Sequence, residues 1–294
     1  MLQLNSHDQS YNTLVERVLK EGQVRPDRTG TGILGIFGHF MDFDVSESIP
    51  LLTTKKINFA NILTETIWMF VQGSTNIKYL QDNNVNIWNS WANSQGELGP
   101  IYGKQARDFQ GYKEIDGEIL IPNIDQIANV IENIRTNPYS RRHLITLWNP
   151  ATVPEDSNDF EQLVKDGYSA LPVCHGVVIQ FYVSEGNRLS LQVYVRSNDV
   201  FLGLPYNLIN YTLLLYMIAN VLDMKPFKVN YMIGDVHIYK DHIDKIKLQL
   251  KRQPFKAPSL LVNPKVKNFD DYVISDFSLI NYQSHKPISA KVSV

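Results

Sequence analysis

The strongest constraint on what this chain can fold into is an alternation near residue 190. Leu189, Leu191, Val193 and Val195 are apolar, while Ser190, Gln192, Tyr194 and Arg196 between them carry polar groups, which is the period of a strand with one buried face. Ahead of it, Gly176-Val177-Val178-Ile179-Gln180-Phe181-Tyr182-Val183 is a second strand-like run, and Gly186-Asn187 marks a tight turn between the two. A hairpin sets its open ends side by side. That brings Cys174, in Leu171-Pro172-Val173-Cys174-His175, near Arg196-Ser197 at the end of the second strand. A cation beside a cysteine raises its thiolate fraction and makes it a nucleophile at neutral pH.

A free cysteine most often serves as a small buried hydrophobe, so its surroundings decide. Arg196 and Ser197 together offer a fork of donors and a hydroxyl, which suit a phosphate. Asn207 follows Gly203-Leu204-Pro205 at the mouth of an apolar helix, and its amide both donates and accepts, as a uracil edge with O4 and N3–H requires. On spacing alone, the segment reads as a cysteine nucleophile beside an anion site.

Composition narrows the setting. With 294 residues the chain can bury a sizeable core. A net charge of −2 gives no field for nucleic acid, so local arginines must meet any anion. Cys174 is the only cysteine, which excludes an internal disulfide and fits a reducing compartment. The first ten residues lack the basic and apolar regions of a signal peptide, and no apolar run reaches the ~18 residues of a membrane span. The expectation is a cytoplasmic protein with one domain over residues 1–294, as no repeat or linker interrupts it.

Along the chain, Tyr11, Leu14, Val15, Val18 and Leu19 predict a helix capped by Ser10 and stopped by Gly22. Pro26-Asp27-Arg28-Thr29-Gly30-Thr31-Gly32 reads as a polar loop whose glycines admit a ligand to the backbone. Ile33 to Phe43 reads as a strand. Phe59, Ile62, Leu63, Thr66, Ile67 and Phe70 line the next helix, which carries Glu65, and a carboxyl against an apolar wall has a raised pKa and can carry protons. Residues 108–118 read as an exposed loop, and Ile124, Ile127, Val130, Ile131 and Ile134 as a helix. A strand is expected from Leu144 to Trp148, with Arg141 and Arg142 just ahead of it; adjacent residues in a strand face opposite ways. Leu208 to Leu222 is apolar nearly all round, the pattern of a buried helix. Phe227 to Ile233 is expected as a strand, Ile243 to Leu250 as a helix, and strands close the chain near 259–262 and 272–280.

The motifs Leu-Pro-Val-Cys-His, Gln180-Phe181-Tyr182-Val183, Arg196-Ser197-Asn198-Asp199-Val200-Phe201-Leu202-Gly203-Leu204-Pro205-Tyr206-Asn207 and Gly234-Asp235-Val236-His237-Ile238-Tyr239 resemble the thymidylate synthase family, and the likeness runs from about Tyr11 to Val294. The resemblance implies an α+β fold, a single domain of mixed β-sheets packed with helices, with a sheet face used for dimerisation. It implies reductive methylation of dUMP to dTMP, with 5,10-methylenetetrahydrofolate as cosubstrate and no metal. Cys174 would attack C6 of the base, with Glu65, Tyr102, Asn207, Arg196 and Asp199 completing the catalytic set. Arg28, Arg196, Ser197 and, from the second subunit of a homodimer, Arg141 and Arg142 would hold the phosphate. Asn207 would read the base, and His237 and Tyr239 would bind the ribose 3′-hydroxyl. Trp88, Trp91, Asp199, Gly203 and Val294 would form the folate side. No membrane and no nucleic acid is required as a partner.

Val173, Val195 and Ala106 depart from the residues common in that family. Two other readings use the same residues: a pyrimidine nucleotide 5-hydroxymethylase, in which water replaces hydride, and a non-catalytic nucleotide- or RNA-binding homologue.

Overall fold

The computed structural model of the chain describes residues 5–27, 30–155 and 157–292. Helix α1 (Ser6–Glu21) starts one turn earlier than its apolar stripe indicates. The Asn5 side chain accepts from the His7 and Asp8 N–H groups and so caps it, whereas Ser10 lies inside the helix and bonds the Ser6 carbonyl. Gly22 ends it as expected. Strands β1 (Gln23–Arg25) and β2 (Ile33–Asp44) follow, then α2 (Phe59–Thr66), which runs directly into the π-helical turn Ile67–Val71, and the short helices α3 (Lys78–Asp82) and α4 (Tyr102–Arg107). The stretch expected as a loop forms two small ribbons instead. Strand β3 (Phe109–Gln110) pairs β6 (Asn123–Ile124), and β4 (Lys113–Ile115) pairs β5 (Glu118–Leu120), because Asp116 and Gly117 both adopt positive φ and close a tight turn.

The second half supplies α5 (Gln126–Thr136), β7 (Leu144–Thr146), α6 (Phe160–Lys165), β8 (Val178–Ser184), β9 (Arg188–Asp199), α7 (Gly203–Val221), β10 (Lys225–Tyr239), α8 (Ile243–Leu250), β11 (Ser259–Val262) and β12 (Phe277–Ile280). Strand β7 is shorter than expected. The final strand begins only at Phe277, since two 3₁₀ turns take up Phe269–Asp271 and Ile274–Asp276. The fold is α+β: one six-stranded mixed sheet in the order β1-β2-β10-β9-β8-β7, with helices packed on it around a single hydrophobic core. Every neighbouring pair is antiparallel except β9 and β10, which run parallel and are joined by α7. Helix α7 is buried on all sides, from Leu208 to Ala219 without interruption, as its apolar sequence requires. Among the described residues no helix is long and apolar enough to cross a membrane.

The two parallel strands change their buried side partway along. Leu189, Leu191, Val193 and Val195 on β9, and Val229, Tyr231 and Ile233 on β10, are buried; beyond them Asn198, Val236 and Ile238 are buried, together with His237 at 8% exposure. The change releases Ser197, Asp235 and Tyr239 from the core to line a cleft. It occurs at Gly234, where an added Cβ would lie 2.8 Å from the Tyr194 hydroxyl and 3.0 Å from the Arg196 carbonyl oxygen. A methyl pressed against the Arg196 backbone carbonyl cannot be relieved cheaply. Gly234→Ala is therefore expected to cost about 1–3 kcal/mol, the usual range for overpacking, seen as a lower urea midpoint. A variant that melts like the parent would show that the close approach at Arg196 is not a constraint.

Candidate active site

The hairpin does what its sequence indicates. Cys174 precedes β8 in irregular backbone, yet its carbonyl accepts from the Arg196 N–H (2.9 Å) at the far end of β9. The Cys174 N–H donates to the Tyr102 hydroxyl at 3.0 Å. Arg196 turns back over the same segment: Nε donates to the Val173 carbonyl (2.7 Å), and Nη2 to the Pro172 carbonyl (2.9 Å) and to Cys174 Sγ (3.5 Å). Two carbonyls hold the guanidinium while it faces the sulfur, an arrangement that favours the thiolate. The half-buried Arg196 also lines the cleft, and its Nη1 group has no hydrogen-bond partner among the described residues, so the same cation can meet a ligand anion.

His175, next in sequence, is not the activating base. Burial, aided by Arg196, pushes its pKa down to about 3, and its Nδ1 is 2.6 Å from the Tyr211 hydroxyl. It therefore stays neutral and stacks on Tyr102, ring centroids 4.5 Å apart. The stack extends through Tyr102 to Trp88 (5.9 Å) and on to Trp91 and Trp68.

Trp88 connects this wall to Glu65. Its Nε1 donates to Glu65 Oε1 at 2.7 Å, while Asn210 Nδ2 donates to Oε2 at 3.0 Å. Glu65 is 4% exposed, and burial raises its pKa against the pull of these two donors. The carboxyl sits in the last turn of α2, just ahead of the π-turn, and faces α7 through its bond from Asn210. On the other side, Asp199 accepts from the N–H groups of Phe201 (2.9 Å) and Leu202 (3.2 Å), which fixes the entry to α7. Gly203 begins that helix, with Asn207 one turn later, and the buried Tyr231 hydroxyl donates to Asn198 Oδ1 at 3.1 Å. Lys55 donates to the Phe201 carbonyl and lies 3.7 Å above the Phe201 ring. Burial lowers its pKa to about 7, opposed by Asp199.

The cleft itself measures about 320 Å³ and is lined by Arg25, Asp27, Arg196, Ser197, Asp235, His237 and Tyr239 among others. Parallel register sets Ser197 opposite Asp235 and Asp199 opposite His237. Arg141 and Arg142 do not join them. Both are exposed and lie in a turn before β7 rather than within a strand; the buried His143 ring braces that turn through the Pro138 carbonyl at 3.1 Å. Arg28 and Val294 lie outside the described residues.

The thymidylate synthase family model matches residues 9–294. The chain belongs to the thymidylate synthase family. It is 45% identical over 284 residues to the thymidylate synthase of Francisella philomiragia subsp. philomiragia, covering 97% of this chain and 99% of that one. The thymidylate synthase of Francisella tularensis subsp. holarctica gives the same identity and coverage. Membership makes the chain a folate-dependent methyltransferase with 5,10-methylenetetrahydrofolate as cosubstrate. The residues present fit a flat conjugated cosubstrate: the Trp88–Trp91 pair offers aromatic surface, and Trp91 Nε1 is buried with no partner among the described residues.

Two further residues of the cleft, Arg25 and Asp235, are not among those the sequence pattern points to. Asp235 was detectable, since residues two apart on a strand share a face and Asp235-Val236-His237 pairs a carboxylate with an imidazole. Arg25 left no such signal, because it reaches the cleft only through the pairing of β1 with β2.

Glu65→Gln tests the buried carboxyl through pH. A carboxyl whose folded pKa is raised destabilises the fold where it must ionise, that is, increasingly as pH rises from its unfolded value near 4 through its folded value. The stability of Glu65→Gln relative to the parent is thus expected to rise over that window and level off above it, while turnover falls by about 10²-fold or more. A pH-independent difference in melting temperature would show that Glu65 is not held against its charge.

Proposed function

We propose that this enzyme converts dUMP to dTMP by way of a covalent bond between Cys174 Sγ and C6 of the base, with residues 1–294 acting as one catalytic domain. The observation that carries this reading is the 3.5 Å approach of the Arg196 guanidinium to the Cys174 sulfur, beside the cleft that Arg196 and Ser197 line. C5 of uracil is a poor nucleophile until a group adds at C6; thiolate addition there moves the electron pair toward O4 and makes C5 an enolate carbon. Asn207 meets the base edge, and donors at O4 stabilise the developing charge. When bound, 5,10-methylenetetrahydrofolate supplies the one-carbon unit and the hydride. Glu65, through the water it orders, handles protons near the base; Tyr102 holds the Cys174 backbone in place for attack. After the C5 proton leaves and the methyl group is complete, the electron pair returns to sulfur and Cys174 departs as thiolate.

Remote groups hold the nucleotide for this chemistry. Arg28, Arg196 and Ser197 take the phosphate, and His237 and Tyr239 the ribose 3′-hydroxyl. Trp88, Trp91, Asp199 and Gly203 form the folate side, over which Val294 and the segment before it close to exclude water. Arg141 and Arg142 serve the site of a second subunit in a homodimer. The outer sheet face supports that pairing. Phe40, Met232 and Tyr194 are direct cross-strand partners, exposed at 52%, 36% and 38%, and Phe37 nearby is 80% exposed. Such an apolar row marks an association surface, and a C2 pair would bury it against itself. Sedimentation at the monomer mass would dismiss the pairing.

The decisive assay supplies dUMP and methylenetetrahydrofolate and reads the nucleotide by mass and the folate by absorbance. dTMP formed with dihydrofolate is the expected result, and Cys174→Ser is expected to abolish turnover while binding dUMP. Hydroxymethyl-dUMP with tetrahydrofolate would overturn the hydride step.

A further inference from the structure

His237 does not stand alone in the cleft. Its Nδ1 lies 2.7 Å from Asp235 Oδ1, and the other oxygen of that carboxylate, Oδ2, accepts from Arg25 Nη1 at 2.9 Å. The three residues come from β10 and, across β2, from the end of β1, and all three line the cleft. The Tyr239 ring stands edge-on to the imidazole at 5.3 Å and limits its rotation. The bond from His237, with Arg25 assisting against burial, holds the Asp235 carboxyl below the usual carboxylate range, so it is ionised at neutral pH.

An ionised carboxylate only accepts hydrogen bonds. His237 must therefore carry its hydrogen on Nδ1, and a neutral ring then presents Nε2 as a lone pair. Nε2 makes no hydrogen bond to another described residue. Whatever meets the neutral ring there has to donate.

We infer that Arg25 and Asp235 are positioning residues that lock His237 as a hydrogen-bond acceptor, so that the cleft selects a ligand group able to donate at that point. This rests on the nucleotide reading above, in which the donor is the ribose 3′-hydroxyl. The arrangement penalises a nucleotide whose 3′-substituent cannot donate, because Nε2 is then left unpaired. Arg25 gives the lock its direction. Its N–H groups claim one carboxylate oxygen, so the other is left for His237.

The directional role makes a prediction that a simple ion pair does not. In Asp235→Asn, Arg25 draws the amide oxygen toward itself and turns the amide NH₂ toward His237, which forces the ring hydrogen from Nδ1 to Nε2. Adding Arg25→Ala frees the amide to flip, so the double variant returns to the Nδ1–H form. Nitrogen-15 spectra of histidine-labelled full-length protein read the tautomer directly. Titration with dUMP and with its 3′-deoxy-3′-fluoro analogue, which can accept but not donate, reads the consequence.

The parent enzyme is expected to show Nδ1–H and to bind the fluoro analogue about 10-fold or more weakly than dUMP. Asp235→Asn is expected to show Nε2–H with the ratio reduced to about 3-fold or less, and the double variant to regain both parental features. An Nε2–H tautomer in the parent would overturn the inference, as would an unchanged ratio in Asp235→Asn. The tautomer is measured without ligand, so failure of the parent to bind dUMP would count against the nucleotide reading and leave the lock to be judged on the spectra. Should Asp235→Asn not fold, Asp235→Glu at the same site keeps the test: a retained Nδ1–H form supports the lock and an Nε2–H form refutes it.

Discussion

One cation joins the two ends of the central hairpin. The Arg196 guanidinium is fastened to the carbonyls of Pro172 and Val173 and reaches the Cys174 sulfur with what remains. Its backbone N–H bonds the Cys174 carbonyl, so main chain and side chain fix the same distance. The rest of the site depends on that junction. Tyr102 anchors the cysteine N–H from α4, the aromatic wall ties Tyr102 to Trp88, and Trp88 reaches Glu65. Remove the arginine and the sulfur loses its charge partner, while two carbonyls lose their donors.

The sheet explains how a hairpin with one buried face can open onto a cleft. Strands β9 and β10 run parallel, and beyond Gly234 burial takes in the even residues Asn198, Val236 and Ile238 as well as His237. Core packing therefore continues beneath the site on Asn198, Val236 and Ile238, while Ser197, Asp235 and Tyr239 turn to line the cleft. Asp199 and Lys55 then pin the entry to α7 around Phe201, one turn ahead of Asn207. The cost of this design is concentrated in buried polar groups such as Glu65 and Lys55, whose pKa values move toward the neutral forms.

Much of this was legible in the residues. Period-two alternation over Leu189–Val195 and the Gly186-Asn187 turn located the hairpin, and the hairpin alone brought Cys174 to Arg196. The uninterrupted apolar run of α7 gave a buried helix. What escaped reading was non-local. The cap at Asn5 escaped because the apolar stripe begins a turn later, and the ribbon over residues 113–120 because its strands bury almost nothing and so lack a period. Arg25 joins the cleft through sheet pairing that no local pattern encodes. The roles of Arg141 and Arg142 rested on family resemblance, since within one chain they sit apart from the cleft.

The claim that Arg196 makes Cys174 a thiolate is open to direct measurement, because Cys174 is the only cysteine in the chain. The ultraviolet absorbance of the thiolate, followed against pH with Cys174→Ser as the blank, reports this one sulfur. The account predicts a titration midpoint at lower pH in the parent than in Arg196→Gln, by at least one pH unit, roughly the effect of a cation at contact distance. Coincident midpoints in the two proteins would contradict it.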